Sequence, residues 1–424
     1  MSQLLADTSY PTFTDPVVGS ELETRWTYWP VSYVSGDPTV ISNVPLPLSG
    51  AQLSMVMRGP GEFQATLQLA DPDVRAMRPW EMVIPRKTGI VAVRETYNPV
   101  SRSWVSEPIA HFIVWAAPRD PETGRMTIRG MTVESLWARR LITKAITWTN
   151  IDQATIAADL LLPGNWSQVA VGTAPWPGWI TVDPPAAATG VTRTFSYAQG
   201  QETNLLEAQQ NRSQVAGGYE WLTSVRVLSG ANAVSANSVR CQFVLGYPRL
   251  GRQIATDATI PRLKYDVHGG GNVLSFELKH DGSTVPNIVW GRGNGYEDLQ
   301  VKAQVSINEW QYGYLQTEDR FSDPDVKVQS TLEQYCRRHM LDKMGSEQFL
   351  ASLTVRGDLP PFFGSYIIGD DVILETNDPT WPDDYYGDDG FVTLASRIYG
   401  MKITPPQGKK AETVELLLAN GSVS

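Results

Sequence analysis

The 424-residue sequence has only two cysteines, Cys241 and Cys336, and four histidines, His111, His268, His280 and His339. Two thiols are too few for a disulfide framework, and no C-x-x-C pair is present to make a metal or redox motif. Folding in a reducing cytosol is therefore expected. No run approaches the roughly 20 apolar residues of a membrane helix. Residues 1–10 carry no basic side chain and no long apolar run, so no secretory signal is expected. Positive charge is also short: 35 Lys and Arg face 45 Asp and Glu, for a net charge of −10. That excludes nucleic-acid binding through a general field, which needs surplus cations. Acidity would let DNA slide past without sticking, and it also serves plain solubility.

Other chemistry is thin. None of the four histidines stands in H-E-x-x-H or a comparable metal pattern, and His111, inside an apolar strand, reads as a core or interface residue. His268-Gly269-Gly270-Gly271 resembles an esterase oxyanion segment but has no G-x-S-x-G partner, so it reads as a turn. Gly291-Arg292-Gly293-Asn294-Gly295 lacks the Lys-Ser or Lys-Thr that closes a phosphate loop and reads as a hairpin loop. Asp378, Asp383, Asp384, Asp388 and Asp389, with Tyr385, Tyr386 and Gly390, form an acidic loop. Its spacing is not that of an EF-hand, and a solvated loop between strands is the simpler reading. A glycosidase needs two carboxylates in a cleft, and no motif selects a pair. No catalytic residue, cofactor-binding residue, metal ligand or cofactor is expected.

What the sequence does contain is β signal. Hydrophobic residues make up 42% and charged residues 19%, which excludes a disordered tail. With 35 Gly and 29 Pro, turns are frequent. Phe63-Gln64-Ala65-Thr66-Leu67-Gln68-Leu69 alternates with period two, and 53–57, 82–84, 90–93, 112–115 and 126–128 read as further strands. Helices are expected over 133–141, over 151–162 with Asn150 as N-cap and Gln153 completing a capping box, and over 202–215. Strands follow over 219–228 and 239–245. A hairpin around Asp281-Gly282 is expected to join 272–280 to 285–291, and another strand spans 299–305. Helix 326–344 should end at Gly345, before strands over 349–355, 366–375, 391–404 and 412–419.

Two segments look alike. Phe112-Ile113-Val114-Trp115 leads through a Pro-to-Gly turn to Arg125-Met126-Thr127-Ile128. Arg397-Ile398-Tyr399-Gly400-Met401 leads through a similar turn to Glu412-Thr413-Val414-Glu415-Leu416. Each is preceded by a strand, at 80–86 and 368–375. This suggests an internal duplication, although unrelated hairpins can also look so.

The order of parts resembles the tail-tip (baseplate) hub proteins of siphophages, the tail-associated minor tail proteins, which are related in fold to the hubs of contractile tails and type VI secretion spikes. The strand 63–69 followed by Trp80-Glu81-Met82-Val83-Ile84 resembles that family's opening barrel strands. The passage 112–140, ending in Gly130-Met131-Thr132-Val133-Glu134-Ser135-Leu136-Trp137-Ala138-Arg139-Arg140-Leu141, is similar to its strand, strand, short helix. Asn272-Val273-Leu274-Ser275-Phe276-Glu277 and Asn287-Ile288-Val289-Trp290-Gly291 resemble the return into the first barrel. Gly369-Asp370-Asp371-Val372 with Ser396-Arg397-Ile398 resembles the second barrel's closing strands.

The resemblance implies a mainly β protein with α+β insertions: two similar β-barrel (tube-type) domains plus a mixed α/β insertion domain. An N-terminal arm spans 1–24. The first barrel takes 25–134 and 272–292, the insertion domain 135–271, the second barrel 296–322 and 346–424, and a helical insertion 323–345. It further implies a structural virion protein, not an enzyme. Such a protein would be made in the host bacterial cytoplasm and assembled as a homotrimeric, pseudo-sixfold ring at the tail tip. Expected partners are a distal tail protein or tail-tube ring, the tape measure protein C-terminus, and downstream minor tail, fibre or spike proteins, with DNA passing through during ejection. The wall-degrading domain that larger family members append is expected to be absent. Glu62 and Asp370 are candidates for an acidic channel lining. Two other classes stay open: a receptor- or carbohydrate-binding adhesin using the 14 Trp and 16 Tyr, and a cell-wall hydrolase with an unrecognised site.

Overall fold

The computed structural model describes residues 22–33, 38–98, 101–162, 180–182, 188–200, 203–215, 217–227, 239–296, 299–324, 326–344 and 348–419. The expected arm over 1–24, apart from its last residues, and the expected cap at Gly345 lie outside them.

The first part of the chain forms β1 (Thr24–Ser32), β2 (Thr39–Val40), β3 (Ser49–Val56), β4 (Glu62–Gln68), β5 (Thr88–Asn98), β6 (Ser103–Ala116), β7 (Arg119–Asp120) and β8 (Arg125–Met131). Period-two patterning explains most of them. In β4, Phe63, Ala65 and Leu67 are buried while Glu62, Gln64 and Gln68 face solvent. Two short helices, α1 (Pro72–Ala76) and α2 (Pro79–Met82), connect β4 to β5. The expected strand around Met82 is therefore a helical turn. Pro79 occupies its first turn, and Arg78 before it is left-handed (φ 52°).

A mixed insertion follows: α3 (Glu134–Trp137), β9 (Ile146–Asp152), α4 (Gln153–Asp159), β10 (Ile180–Val182), β11 (Thr192–Tyr197), α5 (Leu205–Ser213), β12 (Glu220–Val227) and β13 (Val239–Gly246). It has its own core around Trp137, Trp221 and Phe243. The N-cap of α4 is Asp152, which accepts from Ala154 N, and not the expected Asn150. Strand β9 runs on through Asn150, which adopts φ 54°, so the helix starts later.

The remaining strands are β14 (Arg262–Tyr265), β15 (Val273–His280), β16 (Ile288–Arg292), β17 (Lys302–Ser306), β18 (Glu318–Ser322), β19 (Gln348–Arg356), β20 (Asp371–Thr376), β21 (Val392–Thr404) and β22 (Thr413–Ala419), with α6 (Gln329–Met344) before β19. The chain is thus mainly β, with few helices and one large, mostly antiparallel sheet.

Pairing corrects the expected route of the chain. Strand β15 pairs with β19, not with the first group of strands, and β16 pairs with β17 and β18 in a separate three-stranded sheet. The expected hairpin 272–291 does not form. Its second arm instead packs Val289 and Gly291 under α6, where Leu332 and Cys336 meet them. Residues 288–344 are thereby one insertion, larger than the helix expected at 323–345, around a small core that also takes in Val215.

The two groups repeat each other. Within the 14-stranded sheet the first runs β3-β4-β8-β6-β5-β1, and the second β15-β19-β22-β21-β20-β14. Numbered along the chain, the six strands of each group fall in the same order. All pairings match in sense except the outermost, where β1–β5 is antiparallel and β14–β20 parallel. Each long hairpin also has a one-residue bulge at the same point, two pairs in from the end of its last strand. The extra residue is Trp115 in one and Tyr399 in the other.

One strand joins the groups. On one edge, the N-terminal half of β21 pairs with β20 and its C-terminal half with β3. Gly400 sits beside the bulge, where a Cβ would lie 2.9 Å from Met55 O. A single hydrophobic core spans both groups, from Phe63 and Phe112 to Leu353 and Leu416. Inside it, Arg94 on β5 and Glu412 before β22 form an ion pair with side chains 1% and 0% exposed. Arg94 Nε and Nη2 donate to Glu412 at 3.1 and 2.9 Å, and Nη1 donates to Phe363 O at 2.9 Å. Trp26 Nε1 donates to Glu412 Oε2 at 2.6 Å.

Removing one partner strands a buried charge, at about 3–5 kcal/mol, whereas replacing both with apolar groups can be near neutral. Arg94→Met and Glu412→Leu should each lower the urea midpoint sharply. The double variant should be more stable than either single one. Simple additivity in equilibrium unfolding would show that the two residues do not act as a pair.

Candidate functional site

The structure brings titratable groups together at a few places, all of which can be tested for chemistry. The most reactive composition is Tyr33, His111 and Cys241. His111 lies on β6 and Cys241 on β13, so the group sits where the insertion meets the first set of strands. The Tyr33 hydroxyl is hydrogen-bonded to His111 Nε2 at 2.9 Å, and Cys241 Sγ is 3.5 Å from His111 Nδ1. Gly89 leaves the room: a Cβ there would fall 2.7 Å from His111 Nε2. Nearby, the Thr223 hydroxyl donates to the buried carboxyl of Glu134.

A cysteine beside a histidine suggests a nucleophile, but the environment opposes it. His111 and Cys241 are each 2% exposed. Burial drives the His111 imidazole down to about 3, so it stays neutral and cannot hold a thiolate as an imidazolium would. Burial, with the charge of Glu134 adding to it, pushes the Cys241 thiol well above its ordinary value. The Glu134 carboxyl is itself raised by burial. This is a sealed polar joint between two packed units, which agrees with the interface reading of His111.

A second joint centres on Glu220 of β12. Arg397 on β21 grips its carboxylate with two hydrogen bonds, one of them at 2.7 Å. Arg58 approaches at 3.3 Å, and Leu250 N donates at 2.8 Å. Burial pushes this carboxyl up, but the two guanidiniums and the amide outweigh it and hold it below its usual range. A third joint ties the 249–254 segment to β20. Arg252 Nη2 reaches Asp370 Oδ2 at 2.6 Å, Arg252 N donates to Asp370 Oδ1 at 2.7 Å, and Arg249 pairs with Asp371. Asp370 has a fully buried side chain, so it is not free to line a channel. Glu62 is exposed on β4.

The other sequence candidates stay apart. His268-Gly269-Gly270-Gly271 is an exposed turn in which His268 N donates to Asp266 Oδ1 and Gly269 and Gly270 have φ of 87° and 109°. Gly291 and Gly293 belong to β16 and the turn after it, and they give α6 its close approach. His339 on α6 contacts Asp319 at 2.8 Å, joined by Lys343 at 3.2 Å. The His339 hydrogen bond, then the contacts from Arg320 N and Lys343, outweigh modest burial and hold Asp319 at about 2. His280 lies on β15, opposite Gln348 of β19. In the acidic loop Asp378 caps its own turn, accepting from Thr380 N and Oγ1. Among the described residues, no three His, Cys, Asp or Glu side chains converge as a metal-holding group. No helix of the described residues is long and apolar enough to cross a membrane.

Sequence reasoning missed these buried pairings and the Arg94–Glu412 pair as well. The available signals were single charges inside apolar runs, Arg94 after Ile90-Val91-Ala92-Val93 and Glu412 before Val414 to Leu418. They show that a partner is needed, but not which one.

Comparison with solved structures places the fold. The chain is similar to the tail protein from Neisseria meningitidis MC58, with a TM-score of 0.54 and 11% identity, covering 94% of this chain and 98% of that one. It is also similar to the 43 kDa tail protein of prophage MuSo2 from Shewanella oneidensis, with a TM-score of 0.52 and 10% identity, covering 95% and 97%. No family model and no curated protein matches the sequence. The chain therefore shares, over nearly its whole length, the fold of phage tail proteins.

The His111 joint makes a pH prediction. The folded imidazole titrates near 3 and the unfolded one near 6.5, so between those values only the unfolded chain takes up the proton. This contribution to stability is complete above pH 6.5 and is lost as the pH falls, amounting to roughly 2 kcal/mol by pH 5. In thermal melts, His111→Gln should lose less Tm than the unaltered protein between pH 7 and 5. Equal losses would contradict a neutral buried imidazole.

Proposed function

We propose that this chain is a structural virion protein that forms a trimeric, pseudo-sixfold hub ring at the distal end of a bacteriophage tail, with no catalytic role. The observation that carries the reading is the repeat. Two groups of strands have the same order and the same bulge, at Trp115 and Tyr399. Three copies then present six similar units to a sixfold tube and threefold symmetry to whatever lies beyond. The likeness in fold to phage tail proteins supports the same setting.

In this reading the partners are a distal tail protein or tail-tube ring on one side and minor tail, fibre or spike proteins on the other. The tape measure C-terminus ends at the ring, and DNA passes through during ejection. Each copy has a net charge of −10. An acidic channel wall would avoid the counterion-release binding that cationic residues impose on DNA, and the exposed Glu62 remains a candidate for it. The insertion expected over 135–271 ends earlier, because β14 pairs with β20 of the second group; the part up to 246, with a separate core, lies outside the tube wall in this arrangement.

Mass photometry of the purified protein should give particles of three 46.9 kDa chains, and averaged electron micrographs should show rings with six lobes. Particles with no rotational symmetry, or rings whose order is not three, would overturn the reading.

A further inference from the structure

The small sheet of β16, β17 and β18 has one covered and one open face. Val289, Gly291, Ala303 and Val305 lie under α6. On the other face Trp290, Arg292, Lys302, Gln304, Glu318 and Arg320 are exposed around an open concavity of about 920 Å³. Trp290 is 45% exposed there. Register sets Gln304 and Arg320 on either side of Trp290, and it sets Lys302 directly opposite Arg292. Like charges facing each other across strands are unfavourable. Neither they nor Arg320 forms an ion pair among the described residues. Two carboxylates line the concavity, and both are engaged: Glu318 accepts from Trp290 Nε1 and Gln316, and Asp319 is held by His339 and Lys343. On a chain with ten surplus negative charges, this is an unsatisfied cationic patch around an aromatic ring.

A complementary surface exists elsewhere on the same chain. The loop 378–390 between β20 and β21 carries five Asp and no Lys or Arg. Asp383, Asp384, Asp388 and Asp389 are exposed, and none forms an ion pair among the described residues. Trp381 and Tyr385 pack at 5.7 Å, and Tyr385 is 58% exposed. They line a second concavity of about 840 Å³.

We propose that the open face of β16–β18 receives the acidic loop 378–390 of a second copy of this chain. A free anionic polymer would neutralise the cationic face but leave the acidic aromatic loop without a role. A second copy satisfies both surfaces through one contact. Because the two surfaces differ, the contact is head-to-tail, the kind that closes into a ring when the rotation is right. The inference rests on the hub reading for the size of that ring, but the contact itself follows from charge and register. Opposed exposed charges act within a Debye length, so the contact is salt-sensitive.

Sedimentation velocity over a concentration series tests it, at low salt and at about 0.5 M, where screening is strong. Arg292→Glu/Lys302→Glu reverses the face, and Asp383→Lys/Asp384→Lys reverses the loop. Each pair should weaken self-association at least about tenfold. The chain carrying all four substitutions should regain it, which a misfolded variant cannot do. Trimers unaffected by either reversal would overturn this contact while leaving the hub reading intact. Charge-dependent association that does not stop at three would support the contact and overturn the ring. An unaltered protein that remains monomeric would overturn both. Capture of dextran sulfate by the face, with loop reversal leaving self-association unchanged, would assign the face to an anionic polymer and overturn the proposal.

Discussion

A guanidinium and a carboxylate buried to 1% and 0% exposure can persist only if nearly every hydrogen-bonding position is filled. Arg94 meets this demand by donating to both oxygens of Glu412 and to the carbonyls of Phe363 and Gly357. Trp26 supplies a further donor. The geometry requires β1, β5, the 357–363 turn and the start of β22 to be in register together. A slip of one residue in any of them would turn a partner to the opposite face. Gly357 is part of the same requirement, since a Cβ there would collide with the Glu412 carboxylate. The two groups of strands are thus coupled by a constraint that hydrophobic packing alone would not impose.

Strand β21 makes the coupling continuous. It belongs to the second group through β20 and β22 and to the first through β3. The bulge at Tyr399 turns the strand where these partners change over. At Trp115 the same irregularity occurs in the other group. There the ring is held by Ser135 Oγ at 2.8 Å and by Arg139 stacked 4.0 Å above it. One core and one branching sheet therefore join the two similar units directly.

The insertions are attached differently. Each has a core cluster apart from that of the sheet, and the larger one meets the sheet through an apolar seam, Val31, Val91 and Val93 against Val239, flanked by polar joints: Glu220 between Arg58 and Arg397, and His111 with Tyr33 and Cys241. Charged joints define orientation sharply because an off-register carboxylate would be left unpaired in a dry place. The smaller insertion leaves one sheet face open, and the surface chemistry of the chain is most pronounced there and on the loop before β21.

Much of the β framework was legible along the chain, for a local reason. Alternation in 63–69, 126–128 and 413–419 reports which face of a strand is dry, whatever the strand pairs with. The likeness of the two hairpins around Trp115 and Tyr399 was visible for the same reason, since each is one continuous stretch. Local signals misled where two were in competition. Met82-Val83-Ile84 has strand composition, but Pro79 starts a helical turn, and Asn150 resembles a cap but lies within β9. By itself, then, the sequence determined that this is a mainly β protein with inserted helices, without a metal or redox motif and with an acidic balance. Only the tertiary structure decided that β15 joins β19, that β16 leaves for a sheet of its own, that Asp370 is buried against Arg252, and that Arg94 meets Glu412. Those outcomes depend on which distant segments share an edge or a cavity, and partners 318 positions apart leave no periodic trace in either neighbourhood.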